Sequence, residues 1–85
     1  MDPVFKKALQ SYTRRGWTFE FDDRRLFVRN WPTRDMRAVT AAALLLLQAN
    51  ECDEIVLVNV LDVESIEDLI ELGWTQSFSQ FSLRL

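Results

Sequence analysis

Ala38-Val39-Thr40-Ala41-Ala42-Ala43-Leu44-Leu45-Leu46-Leu47 and, after the polar break at 48–54, Ile55-Val56-Leu57-Val58-Asn59-Val60-Leu61 are the stretches that decide the fold. Only Thr40 is polar in the first and only Asn59 in the second. The first has the length and composition of a buried helix. The second is short, rich in β-branched residues and does not alternate, as expected of a strand covered on both faces. The other elements of an 85-residue chain must be arranged around this pair.

N-terminal to the pair, Asp2-Pro3 is a helix start. The Asp carboxylate accepts from a free amide, and Pro suits the first helical position. Val4, Phe5, Ala8, Leu9 and Tyr12 follow at helical spacing, and Gly16 ends the run. The spacing predicts a helix over 2–15. Residues 17–21 and 26–31 alternate with period two and predict a hairpin around Asp23-Arg24. In that register Phe21 faces Leu26, Phe19 faces Val28 and Trp17 faces Asn30. The large apolar groups then share one face. Thr18, Glu20, Arg25, Phe27, Arg29 and Trp31 occupy the other.

Thr33 is the expected cap of the middle helix, predicted over 34–49, with Asn50 closing it. A helical projection buries Met36, Val39, Ala42, Ala43, Leu46 and Leu47. Ala41, Leu44 and Leu45 are left on the side that should be wet. Asp62 or Ser65 caps the next helix, where Ser65 and Asp68 have capping-box spacing. Ile66, Leu69, Ile70 and Leu72 form its inner face, and Gly73 its stop. Trp74–Leu85 reads as a strand or two short ones, with a bulge or turn near Ser79-Gln80. The order is α-β-β-α-β-α-β. The fold expected is a small α/β domain, with α+β as the alternative. It has a mixed sheet of about four strands, an antiparallel hairpin at one end, three helices, and 55–61 central with cover on both sides. Residues 1–85 make one domain.

Composition excludes several chemistries. No His is present, which removes imidazole metal ligands, Ser-His and Cys-His pairs and imidazole acid–base catalysis. Cys52 is the only cysteine, so no internal disulfide can form, and its acidic neighbours argue against a reactive thiol. Met1-Asp2-Pro3 does not resemble a signal peptide, and the apolar block at 38–47 has about half the length of a membrane span. The expectation is a soluble, cytoplasmic protein that needs no cofactor. Net charge is −3, divided unevenly: residues 1–40 carry +4 and residues 41–85 carry −7. That polarity either steers a partner or joins the two halves of the fold.

Three groups of residues suggest sites. Arg25, Phe27, Arg29 and Trp31 interleave cations and rings as a single-strand RNA or DNA platform does. Alternatively, Glu20 neutralises an arginine and a helix covers the rings. Ala41, Leu44 and Leu45 are a surplus apolar surface, either an interface or a seat for the N-terminal helix. The acidic residues around 51–54 and 62–71 include Asp62 at the end of a predicted parallel strand, where α/β folds place ligands. Capping and a solvated helix face also account for them. The apolar strand, short helix, Leu72-Gly73-Trp74 and final strand are similar to the C-terminal arm of small acetyltransferases. That resemblance covers only 55–85, and the chain has no Gly-rich loop of the kind with which that family grips its cofactor, so it assigns no family. The expected function is a small non-enzymatic interaction module that regulates or inhibits a larger protein partner, with a homodimer as one version of it. Its contacts would be Leu44, Leu45, Ala41, Phe27, Trp31, Arg25 and Arg29. The alternatives are single-strand nucleic-acid binding through the hairpin and a structural subunit of a complex.

Overall fold

A computed structural model describes residues 1–85. Helix α1 is Pro3–Arg14, followed by strands β1 (Thr18–Asp22) and β2 (Arg25–Asn30), helix α2 (Met36–Gln48) and strand β3 (Glu54–Leu57). Helix α3 (Val63–Glu71) then leads to β4 (Thr75–Ser77) and β5 (Gln80–Leu83). The C-terminal segment is thus two strands joined by a turn at Phe78-Ser79, and the sheet has five strands in the order β1-β2-β3-β5-β4. β2 and β3 are parallel, as a helical crossover requires. β4 runs parallel to β3 but does not pair with it, because β5 lies between them, antiparallel to both.

Helix ends follow side-chain chemistry. Asp2 accepts from the Val4 amide at 2.7 Å, and Gly16 ends the segment with φ 102°. At α2 the cap is Asp35 instead of Thr33: the Asp35 carboxylate accepts from the Arg37 and Ala38 amides, and Thr33 Oγ1 accepts from the Asp35 amide. A carboxylate is the stronger acceptor, so the helix starts two residues late. Asn50 closes it with φ 60°. Asp62 caps α3, and both the amide and the hydroxyl of Ser65 donate to it, so Ser65 serves the cap instead of forming a box with Asp68.

In the first hairpin, Phe21 pairs with Leu26 and Phe19 with Val28, as the alternation predicts. An irregularity between Thr18 and Phe19 gives Asn30 the partner Thr18 in place of Trp17. Asp23 and Arg24 both have positive φ, the two-residue turn that matches strand twist. Arg24 forks onto Asp53 at 3.0 and 3.1 Å, tying this turn to the loop before β3.

The expectation of cover on both sheet faces is overturned. The core joins Leu26, Val28, Ile55, Leu57 and Phe81 to Phe5, Leu69 and the inner residues of α2. All five strand residues project from the same face, so the three helices form one layer. Val56 points the other way and is nonetheless buried, held between its neighbours Phe27 and Ser82 across the sheet. β3 lacks alternation because the strands beside it shield Val56. Pairing ends at Leu57, and Asn59 turns out with φ 59°, so its amide group is not buried. Thr40, at the inner edge of α2, is buried with its hydroxyl donating to Met36 O and accepting from Trp74 Nε1, both at 2.8 Å.

Candidate functional site

Helix α2 has apolar residues around most of its circumference, and one sheet can cover only one side. Met36, Val39, Ala42, Ala43, Leu46 and Leu47 are buried as the projection predicts. Leu45 remains 53% exposed and Leu44 37%. Helix α1 runs beside α2 but does not cap this ridge. Its Phe5 is fully buried, edge-on to Phe21 with ring centroids 5.9 Å apart. That contact draws α1 down onto the hairpin and leaves a trough between the two helices.

The trough has a volume of about 520 Å3, and its apolar lining comes from Tyr12, Trp17, Pro32, Ala38, Ala41, Ala42 and Leu45. Tyr12 and Trp17 form one wall, their rings 5.2 Å apart and tilted by 58°. Alanines make the opposite wall shallow, since a larger side chain at 38 or 41 would fill the space. Arg15 supplies the charged rim. Its guanidinium lies 4.7 Å from the Tyr12 centroid and donates to the Ser11 hydroxyl at 3.2 Å. Ala41 and Leu45 therefore meet in this groove. Leu44, about 100° further around the helix, does not line it.

The hairpin residues are divided by the sheet. Arg25, Phe27 and Arg29 lie on the helix-free face, whereas Trp31 is half-buried against the core. Arg29 Nε donates to Glu20 at 2.6 Å, and on the same face Arg84 Nε donates to Glu54 at 2.9 Å. Arg25 lies over the Phe27 ring at 5.4 Å from its centroid. Two of the face's cations are thus already paired with carboxylates. Phe27 is half-buried beneath Arg25, with no helix over it.

Four of the acidic residues around 51–54 and 62–71 have structural partners. Glu51 accepts from the Asp2 amide, Asp53 from Arg24 and Glu54 from Arg84. The Ser65 hydroxyl and amide hold the Asp62 carboxyl below the ordinary range for Asp. No group of three or more Cys, Asp or Glu side chains is arranged to hold a metal ion. Cys52 is 2% exposed, and burial pushes its thiol up to about 11, with Asp53 adding to the effect. Arg24 opposes that rise without overcoming it.

One surface residue was not singled out by periodicity. Phe78 stands at the turn between β4 and β5, 95% exposed and with φ 55°. Gln76 Nε2 donates to its carbonyl at 3.1 Å. Leu61 and Val63 are exposed in the adjoining loop and first turn of α3, and the Val60 amide donates to Ser79 O at 2.8 Å. The spacing of Phe78 from Trp74 and Gln76 is that of residues on one strand face, which conceals the turn. The signal was its setting, a lone ring among Ser77, Ser79 and Gln80. No protein-family model, curated protein or solved structure matches the chain.

Proposed function

We propose that this chain is a small non-enzymatic interaction module that takes an apolar side chain of a larger protein partner into the α1–α2 groove and thereby regulates or inhibits that partner. The observation that carries this reading is the groove itself. Tyr12, Pro32, Ala41 and Leu45 present apolar surface beside the largely buried Trp17 on a domain whose own core is already closed. Apolar surface of that kind, with an aromatic wall and an arginine at the rim, has the composition of an interface centre.

Two further features favour this reading over its rivals. The open sheet face carries arginines whose charge Glu20 and Glu54 already meet, which weakens its pull on phosphates. Asp35 and Asp62 cap helices, and Asp53 and Glu54 pair with arginines.

The test is a photo-crosslinking amino acid at position 45 in the full chain, introduced in source cells, with position 7 on the outer side of α1 as control. One protein crosslinked from position 45 and not from position 7 is the expected result, and Ala41→Glu should abolish it. Identical products from both positions would overturn the reading.

A further inference from the structure

The two edges of the sheet differ in how they are guarded. β1 carries Glu20 and Asp22, is irregular between Thr18 and Phe19, and lies under α1. Charge, irregularity and a covering helix all discourage a further strand. β4, at the opposite edge, has neither charge nor irregularity. Residues 73–83 contain no charged side chain and no proline. Ser77 and Gln80 flank the two-residue turn of this hairpin. As its closing hydrogen-bonded pair they turn the backbone N–H and C=O of Gln76 away from β5, toward the open edge.

The helix layer above that edge is apolar on the same side. α1 lies on β1, and α2 touches both α1 and α3, so α3 is the outer helix on the β4 side. Asp68, Glu71 and Leu72 share a cleft with Asp35, Met36 and Arg37, which fixes the side of α3 that faces α2. At about 100° per residue, Val63, Ile66 and Ile70 stand on the opposite side, toward the free edge of β4. Val63 is 66% and Ile70 52% exposed, and Ile66 is half-buried. Glu64 and Glu67 point into solvent, opposite the buried Leu69. Backbone bonds hold this stripe level with the strand. The Trp74 amide donates to Leu69 O at 3.0 Å at one end, and the Val60 amide to Ser79 O at 2.8 Å at the other.

We propose that β4 pairs with β4 of a second copy of this chain, antiparallel about a two-fold axis through Gln76, so that the two sheets become one and the α3 stripes meet above the junction. In that register the two Gln76 residues exchange both backbone hydrogen bonds, and Thr75 lies opposite Ser77. The backbone anchors bring the middle of the stripe over Gln76, so the same axis sets Val63 of each copy against Ile70 of the other. One operation completes strand and helix contacts together, as in a closed isologous interface. The strand edge and the stripe bring no charge to the contact, which lets two chains of net charge −3 approach, and antiparallel α3 dipoles favour the pairing. The α1–α2 groove lies on the far side of α2 and stays open to a larger partner.

The test is sedimentation equilibrium of the full chain and of Gln76→Pro, Ile70→Lys and Leu45→Arg, with circular dichroism as the folding control. All three positions are exposed, and an edge strand tolerates proline where its N–H faces solvent, so native spectra are expected. The wild type should dimerise in the micromolar range. Gln76→Pro and Ile70→Lys should each weaken dimerisation by at least about 10-fold, and Leu45→Arg should leave it unchanged. Gln76→Cys should form an intermolecular disulfide on mild oxidation, because a hydrogen-bonded antiparallel pair holds its Cα atoms about 5.5 Å apart. Gln10→Cys, on α1, should not. Failure of Gln76→Cys to crosslink, or a wild type monomeric at about 1 mM, far above that range, overturns the proposal. So does a dimer that survives both Gln76→Pro and Ile70→Lys, or one that Leu45→Arg abolishes, which would place the second copy in the groove.

Discussion

The indole N–H of Trp74 donates to the hydroxyl of Thr40 at 2.8 Å, 34 positions away in sequence and inside the core. That hydroxyl donates in turn to Met36 O. The relay joins the middle of α2 to the residue before β4 and explains why a hydroxyl interrupts an otherwise apolar block. Thr40→Val keeps the shape but leaves a buried indole donor unpaired, which should cost about 1–3 kcal/mol. Thr40→Ser should recover most of it. Urea midpoints at constant m-value would measure both, and equal midpoints for Val and Thr would show that the relay contributes nothing net.

Cys52 should behave as an inert thiol. With its pKa raised to about 11 from the usual 8.5 or so, the native protein should react with a disulfide reagent at pH 8 about 100-fold more slowly than the unfolded chain. The linkage has a definite sign. The folded state binds the thiol proton more tightly, so this contribution is complete below the unfolded pKa and is lost as pH rises through about 11. Cys52→Ala should flatten the alkaline limb of the stability profile.

Asp62 sets the acid side. Ser65 lowers its folded-state pKa, so its contribution is present above the ordinary Asp value near about 4 and is lost as pH falls through the lowered one. Asp62→Asn caps the helix without titrating. Between pH 5 and pH 2 its urea midpoint should fall less than that of the wild type. Parallel curves would mean that the cap is electrostatically silent.

Phe78 should be dispensable for folding. Phe78→Gly relieves a left-handed conformation at the cost of greater chain freedom when unfolded, for a net gain of about 1 kcal/mol or less. A rise in thermal midpoint with retained native circular dichroism is the expected outcome. A drop would show that the exposed ring contributes to the fold.

The open sheet face should bind single-stranded oligonucleotides poorly. Glu20 and Glu54 compete with phosphate for Arg29 and Arg84. At about 50 mM salt, where the electrostatic term is strong, fluorescence anisotropy should show no saturable binding in the micromolar range. Glu20→Gln should raise affinity by freeing Arg29. Tight, salt-dependent binding by the wild type would favour the hairpin alternative over the groove.

Local chemistry was legible in the chain because it depends on neighbours. The Asp2 cap, the Gly16 and Gly73 stops, the Asp23-Arg24 turn, the pairing of Phe19 and Phe21, and the inner face of α2 all follow from spacings of a few residues. So does the apolar surplus at Ala41, Leu44 and Leu45, since a helix apolar all round must exceed what one sheet covers. Tertiary structure decided the rest, because it turns on what lies beside a residue from far away. Periodicity could not tell a strand covered by helices on both faces from one, like β3, whose second face is sheltered by Phe27 and Ser82. Nor could it tell that burial of Phe5 against Phe21 would pull α1 aside, joining Ala41 and Leu45 to Tyr12 and Trp17 in a groove that excludes Leu44. It was the reversal of β5 between β3 and β4 that left Phe78 in solvent, at the turn between β4 and β5.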